Sequence, residues 1–309
     1  MPDGSASVRP WRAMVRALLC HHGIEGMRAD AELALEELGP SSFWRPSALL
    51  FLGAGVLFEG DLERAEEIFD ETVESATGSG AVYAGLVAHS ELAVLALDRK
   101  DPARAEVELA QAQEFLETQP IEDYVPAALH LAASARLALE SGQAASARKL
   151  LVSAMRMRGY LSRAIPWFGV QTRLELARAH LNLADVDGAR TLIREADDVI
   201  RHRPSLGTLA QQMTELRAQL ANVKGVGAGW ASTLTAAELR LLPLLTTHLS
   251  FREIAERLFV SRNTVKSQAI SVYRKLDASS RSEAIDRAVE LGLVDAPLPA
   301  TEGGFTPSG

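Results

Sequence analysis

Four alanines, Ala65, Ala105, Ala147 and Ala189, stand 40, 42 and 42 residues apart, and each sits in the same local pattern. Eight positions before each is a leucine: Leu57, Leu97, Leu139 and Leu181. Twelve before each is a small residue, Gly53, Ala93, Ala135 or Ala177, and four after each is a large apolar one, Phe69, Leu109, Leu151 or Ile193. Between the two halves lies a turn: Gly60-Asp61, Lys100-Asp101, Gly142-Gln143 and Ala184-Asp185. A fixed period of this length marks one supersecondary unit repeated along the chain, and it constrains the fold more than any other feature.

The spacing predicts a helix, a tight turn and a second helix in every unit. Small residues let the two helices approach, while the leucines and the Phe69-type positions fill the groove between them. Asp61, Asp101 and Asp185 are suited to cap the helix that follows, because a carboxylate accepts from its free N–H groups. Pro46, Pro126 and Pro166 fall where the first helices begin, a place where a missing N–H costs little. Each pair exposes an apolar face that only its neighbour can cover, so residues 1–222 are expected to form an α-solenoid. A fainter fifth unit is expected at the start, with residues 11–20 as its first helix and Gly26, Ala31 and Leu35 in the corresponding columns. A helix over 205–221 would close the far end. The pattern resembles tetratricopeptide repeats in its Gly-Asp turn and its alternation of small and large packing positions, with a period longer than the ~34 residues usual there. That resemblance implies an all-α fold and carries no activity.

Residues 223–233 change the grammar. Three glycines, Gly225, Gly227 and Gly229, interrupt any helical period and favour a flexible joint. A dinucleotide loop is the sharper alternative, but the third glycine of that fingerprint is missing and no strand pattern precedes it. Beyond the joint, Thr235 with Glu238, Ser250 with Glu253 and Ser280 with Glu283 each spell a capping box, and Ser261 can cap alone. Four helices follow, near 236–246, 251–258, 262–276 and 281–291, the first shortened or kinked by Pro243. Only Phe259, Val260 and Ser261 separate the second from the third, which is the spacing of a helix-turn-helix. In the third helix, Val265, Ala269, Val272 and Leu276 share one face and must turn inward. Asn263, Lys266, Ser267, Ile270 and Arg274 are left outside. Over 261–281, Arg262, Lys266, Arg274, Lys275 and Arg281 face Asp277 alone, the electrostatic footprint of phosphate contact.

The string REIAERLFVSRNTVKSQAISVYRKL resembles the LuxR-type helix-turn-helix, through Glu253-Ile254-Ala255, the Ser261 cap, Thr264-Val265-Lys266 and Lys275-Leu276. Leu234-Thr235 and Glu238 upstream match as well, so the likeness covers residues 234–295. It implies a small core of Glu238, Ile254, Ala255, Leu258, Val265, Val272 and Leu276. It also implies base contacts from Lys266, Ser267, Ile270 and Asn263 in the major groove of double-stranded DNA, and phosphate contacts from Arg262, Thr264, Arg274 and Lys275. A homodimer on DNA is implied too, with the last helix as its contact. Three positions depart from the family: His248 and Asp277 replace expected glycines, and Gln268 stands where histidine is frequent. Helical repeats followed by this domain resemble the C-terminal part of large MalT-like regulators. The phosphate-binding G-x-x-x-x-G-K-[ST] of their nucleotide module does not occur in this sequence, so no ATP switch is carried over.

The chain is acidic overall, with a formal charge of −8. Residues 1–233 carry all of that excess, 23 basic against 31 acidic side chains, while 234–309 balance. An acidic total therefore excludes no DNA partner. Enzyme chemistry finds no support: His21 and His22 would point about 100° apart on a helix, and neither HExxH nor G-x-S-x-G occurs. The single Cys20 rules out a disulfide framework, and neither a metal site nor a cofactor is expected. Residues 1–10 lack a secretory apolar core and residues 48–58 are too short to span a bilayer, so a soluble cytoplasmic protein with no membrane partner is expected. The solenoid would sense a signal, a protein or small-molecule ligand. The alternative is an adaptor whose helix-turn-helix docks on protein. Residues 296–309 are expected to be a disordered tail.

Overall fold

The computed structural model describes residues 7–117, 124–203, 205–222, 234–291 and 293–294. The expected joint at 223–233 and tail at 296–309 lie outside them. The described residues are all-α, with no strand among them. The chain divides between Thr235 and Ala236 into two compact units.

The first unit holds α1 (Arg9–Leu18), α2 (Gly23–Glu37), α3 (Arg45–Glu59), α4 (Leu62–Ser79), α5 (Val82–Asp98), α6 (Pro102–Glu117), α7 (Ala127–Glu140), α8 (Ala144–Met157), α9 (Pro166–Asn182), α10 (Val186–His202) and α11 (Thr208–Asn222). Every helix packs on the next in the chain, and the odd-numbered helices also pack on one another in succession. Those odd helices make an inner row. Residues 84–97 of α5 and 166–177 of α9 are buried without interruption, which a helix can be only inside a core. The repeat columns explain the fit: Ala65, Ala105, Ala147 and Ala189 are fully buried, and a Cβ on Gly53 would come within 2.6 Å of the Phe69 ring.

The turns share one backbone device. Gly60, Lys100, Gly142 and Ala184 all have positive φ, at 102°, 63°, 73° and 57°. The next residue caps: Asp61, Asp101 and Asp185 accept from the N–H groups of Arg64, Arg104 and Gly188 at 3.0–3.1 Å. At the start of the chain the expected register is corrected. Gly26 lies inside α2, and the turn is formed earlier by Cys20 and Gly23, both at positive φ. Two glycines three residues apart could each fill that column, and the one with a left-handed backbone begins the helix.

The far end of the array returns to its beginning. α11 packs on α3, the Trp167 indole N–H donates to the Leu18 carbonyl at 3.1 Å, and the Ile24 N–H donates to the Ser205 carbonyl at 2.9 Å. Gly207 is required here, because a Cβ would fall 2.1 Å from the Phe58 carbonyl oxygen. Units of an open solenoid touch only their neighbours; this one also closes on itself. A cleft of about 750 Å3 follows the seam, lined by Glu25, Arg28, Phe58, Glu59 and Gln211 among others.

The second unit holds α12 (Ala236–Leu245), α13 (Phe251–Leu258), α14 (Arg262–Lys275) and α15 (Arg281–Glu290). α14 is its centre, packing on the other three. Pro243 falls in the last turn of α12, and the helix ends two residues later.

Candidate nucleic-acid interface

The face that could meet DNA is set by how α13 and α14 begin. Ser250 and Glu253 form a complete capping box: the Ser250 hydroxyl accepts from Glu253 N–H, and Glu253 Oε2 accepts from Ser250 N–H at 2.8 Å. The Ser250 N–H and hydroxyl, both donating to Glu253 Oε2, hold that carboxyl below its ordinary range. Ser261 Oγ accepts from Thr264 N–H at 3.0 Å and lies 2.8 Å from Thr264 Oγ1, fixing the first turn of α14. Ser280 caps α15 from Glu283 N–H at 3.1 Å, but the reciprocal half expected of this pair is displaced. Glu283 Oε2 accepts from both the N–H and the hydroxyl of Ser279, at 2.7 and 2.6 Å.

With its start fixed, α14 shows two faces. Val265, Ala269 and Val272 are fully buried, with Leu276 just beyond the helix at 3 % exposure. Asn263, Lys266, Ser267, Ile270, Arg262 and Arg274 are all exposed. Thr264 is half-buried, its hydroxyl committed to the cap. The Ser267 hydroxyl donates to the Thr264 carbonyl at 2.9 Å, leaving its oxygen free to accept. Arg262 and Lys266 have no acidic partner within 4.0 Å among the described residues. Among the described residues the Arg274 guanidinium reaches only the Ser271 hydroxyl, at 3.5 Å.

The positive stripe read from the sequence is narrower in three dimensions. Lys275, expected at a phosphate, donates from Nζ to the Glu238 carboxylate at 2.6 Å. Glu238 is 4 % exposed, and the Lys275 ammonium offsets the cost of burying its carboxylate. Arg281 is also withdrawn: it donates to the carbonyls of Leu245 and Leu249 at 2.9 Å and of Thr247 at 2.7 Å. It thereby satisfies the carbonyls left open beyond α12. These two partnerships span 37 and 32–36 residues, and no local spacing announces either. Three cations, Arg262, Lys266 and Arg274, remain on the outer face.

Ile254 and Ala255 are buried as expected, whereas Leu258 is only half-buried at the end of the short α13. The turn between α13 and α14 passes through Phe259, left-handed at φ 55° and 95 % exposed. Asp277, standing where a glycine was expected, adopts the same conformation at φ 54°. Three histidines of the first unit, His89, His130 and His180, are buried. His89 pairs with Glu108 at 2.8 Å, His180 with Asp185 at 2.9 Å, and burial pushes His130 down to about 4. Among the described residues no group of three or more His, Cys, Asp or Glu is placed to hold a metal ion, and no helix is long and apolar enough to cross a membrane.

Residues 232–288 match the family described as "Bacterial regulatory proteins, luxR family". A Mycobacterium tuberculosis protein whose name places it among HTH-type transcriptional regulators is 42% identical over 64 residues, 21% of this chain and 7% of that protein. Transcriptional regulatory protein YdfI of Bacillus subtilis is 41% identical over 61 residues, and oxygen regulatory protein NreC of Staphylococcus carnosus 37% over 62. Each of those two alignments covers 20% of this chain and 29% of the relative. The chain thus spans less than a third of the curated relatives it matches, and no solved structure matches it. The C-terminal unit of this chain is a LuxR-family helix-turn-helix domain.

Proposed function

We propose that the chain is a DNA-binding transcription regulator that inserts α14 into the major groove, while the repeat unit senses a signal or holds a protein partner. One observation carries this reading: the outer face of α14 presents Arg262, Lys266 and Arg274 with no carboxylate within 4.0 Å among the described residues, on a helix whose first turn is fixed by a cap. Lys266, Ser267, Ile270 and Asn263 then lie against base edges, and Arg262, Thr264 and Arg274 against phosphates. Lys275 is removed from the phosphate set by its bond to Glu238. Two copies on a two-fold site would place two such helices in successive major grooves, about 34 Å apart. A DNA partner also puts the protein in the cytoplasm and asks no catalysis of it.

The test is duplex binding by the full chain across a salt series. Affinity should fall steeply as salt rises, because phosphate contact releases counterions. Lys266→Ala should weaken binding to the preferred site by roughly tenfold, and Arg262→Ala should weaken all sequences alike and flatten the salt slope by about one. Binding that ignores salt, or partners captured through the second unit that survive removal of DNA, would support the adaptor instead.

A further inference from the structure

Ile270 is the anomaly on the outer face of α14. It is 55 % exposed, while Asn263, Lys266, Ser267 and Arg274 around it are polar or charged. Lys266 precedes it by four residues, Ser267 by three, and Arg274 follows by four, so all three neighbour it on the helix surface. A β-branched side chain in a helix is held near one χ1 rotamer. Its methyl groups are therefore presented at a fixed place, and contact costs little further entropy. Among the described residues the other exposed large apolar side chains of this unit, Phe259 and Val260, belong to the turn.

Resting on the DNA-binding reading above, we propose that Ile270 is a specificity-determining residue that selects thymine through its C5-methyl group. The argument is chemical. Each base pair shows the major groove hydrogen-bonding edges, and the C5-methyl of thymine is the one apolar group among them. An isoleucine can satisfy none of the polar edges. Placed against guanine, adenine or cytosine it leaves a donor or acceptor desolvated without a partner, which is costly. Placed against thymine it buries methyl on methyl. Lys266 supplies the opposite preference one turn earlier, donating to an acceptor-rich guanine edge. The two side chains lie about 6 Å apart along the helix axis. With base pairs stacked about 3.4 Å apart, the thymine falls one or two base pairs from the base that Lys266 contacts.

The experiment uses the full chain. Preferred duplexes are enriched from a random pool, and each thymine of the enriched site is replaced singly by deoxyuridine, which deletes the methyl group and alters no hydrogen-bonding edge. At one thymine per half-site, deoxyuridine should weaken wild-type binding by about fourfold, the worth of one buried methyl group. Ile270→Ala should bind the thymine and deoxyuridine duplexes equally while keeping the salt slope of the wild type. Its exposure makes the substitution neutral to folding, which a thermal melt verifies. Indifference to deoxyuridine at every position, or an undiminished preference in Ile270→Ala, would overturn the assignment and leave DNA binding intact. A pool that yields no enriched sequence would overturn DNA recognition itself, and the thymine contact with it.

Discussion

Arg136 in the repeat unit and Lys266 in the helix-turn-helix unit are both helix-borne cations, and the two regions use them in opposite ways. Arg136, on α7, is 5 % exposed and reaches two other helices at once. It donates to Asp98 on α5 at 2.8 Å and to Glu175 on α9, which also receives Arg178. Burial alone would push the Glu175 carboxyl up, but the two arginine charges outweigh it and hold it below its ordinary value. Lys266 faces outward, with no carboxylate within 4.0 Å among the described residues. The second unit contains both habits, because Lys275 behaves as Arg136 does and closes on buried Glu238. Sequence charge sums cannot separate these uses. Many carboxylates of residues 1–233 are tied to cations, Glu66 to Arg99 and Arg104 between repeats and Glu195 to Arg173 within one.

The largest effect should come from breaking the internal use. Arg136→Met takes away one of the two arginines that hold buried Glu175; with Arg178 still bonded, the cost should reach about 3 kcal/mol, the lower end of what breaking a buried pair costs. Arg262→Met, on the exposed face, should change stability by less than about 0.5 kcal/mol. Urea denaturation followed by circular dichroism compares the two, since both units are helical and contribute to the signal. Similar losses from both substitutions would mean that the distinction between internal and outward cations carries no energetic weight.

Glu91 sharpens the comparison from the other side, since it is buried without a cation. It lies on α5 and accepts from Gln171 of α9 at 2.6 Å, and burial pushes its carboxyl up to about 8, the nearby Glu175 charge adding to the effect. A group whose folded value is raised binds its proton more tightly in the folded state than in the unfolded one. The carboxyl therefore costs nothing below pH ~4.5, stability falls as pH rises from there to about 8, and the loss is complete above. Glu91→Gln keeps the shape and removes the charge. The variant should match wild type near pH 4.5 and exceed it by roughly 1–3 kcal/mol at pH 8. Parallel stability curves for the two proteins across that window would show that Glu91 does not titrate between folded and unfolded states.

What the sequence made legible was whatever a helix writes within one or two turns. The columns around Ala65, Ala105, Ala147 and Ala189, the aspartate caps, and the inward face of α14 all rest on spacings of three to twelve residues. The links that reach across the chain stayed hidden. Trp167 to Leu18 spans 149 residues, Gln171 to Glu91 spans 80, and Lys275 to Glu238 spans 37. Such pairs are chosen by packing, and nothing beside either residue names the other. Hence the outer residues of α14 could be placed from sequence, whereas the removal of Lys275 and Arg281 from its positive stripe could not.

The two units agree in one respect, and it yields the smallest effects. Ala184 in the repeat unit and Phe259 in the helix-turn-helix both hold a left-handed backbone, at φ 57° and 55°. For a residue with a Cβ that conformation costs about 1–2 kcal/mol. Glycine escapes the steric cost but loses about 0.5–1 kcal/mol through the greater freedom of its unfolded chain. The balance favours Ala184→Gly by roughly 0.5–1 kcal/mol. Gly60 and Gly142 already occupy the matching turns of two other repeats, so the backbone there is known to accept it. Phe259 is 95 % exposed, and its ring gives up almost no burial, so Phe259→Gly should gain a similar amount. Equal gains in thermal melts would show that both turns are governed by the backbone alone. A loss at Phe259 beside a gain at Ala184 would show instead that the aromatic ring stabilises the turn before α14, and the likeness between the two units would end there.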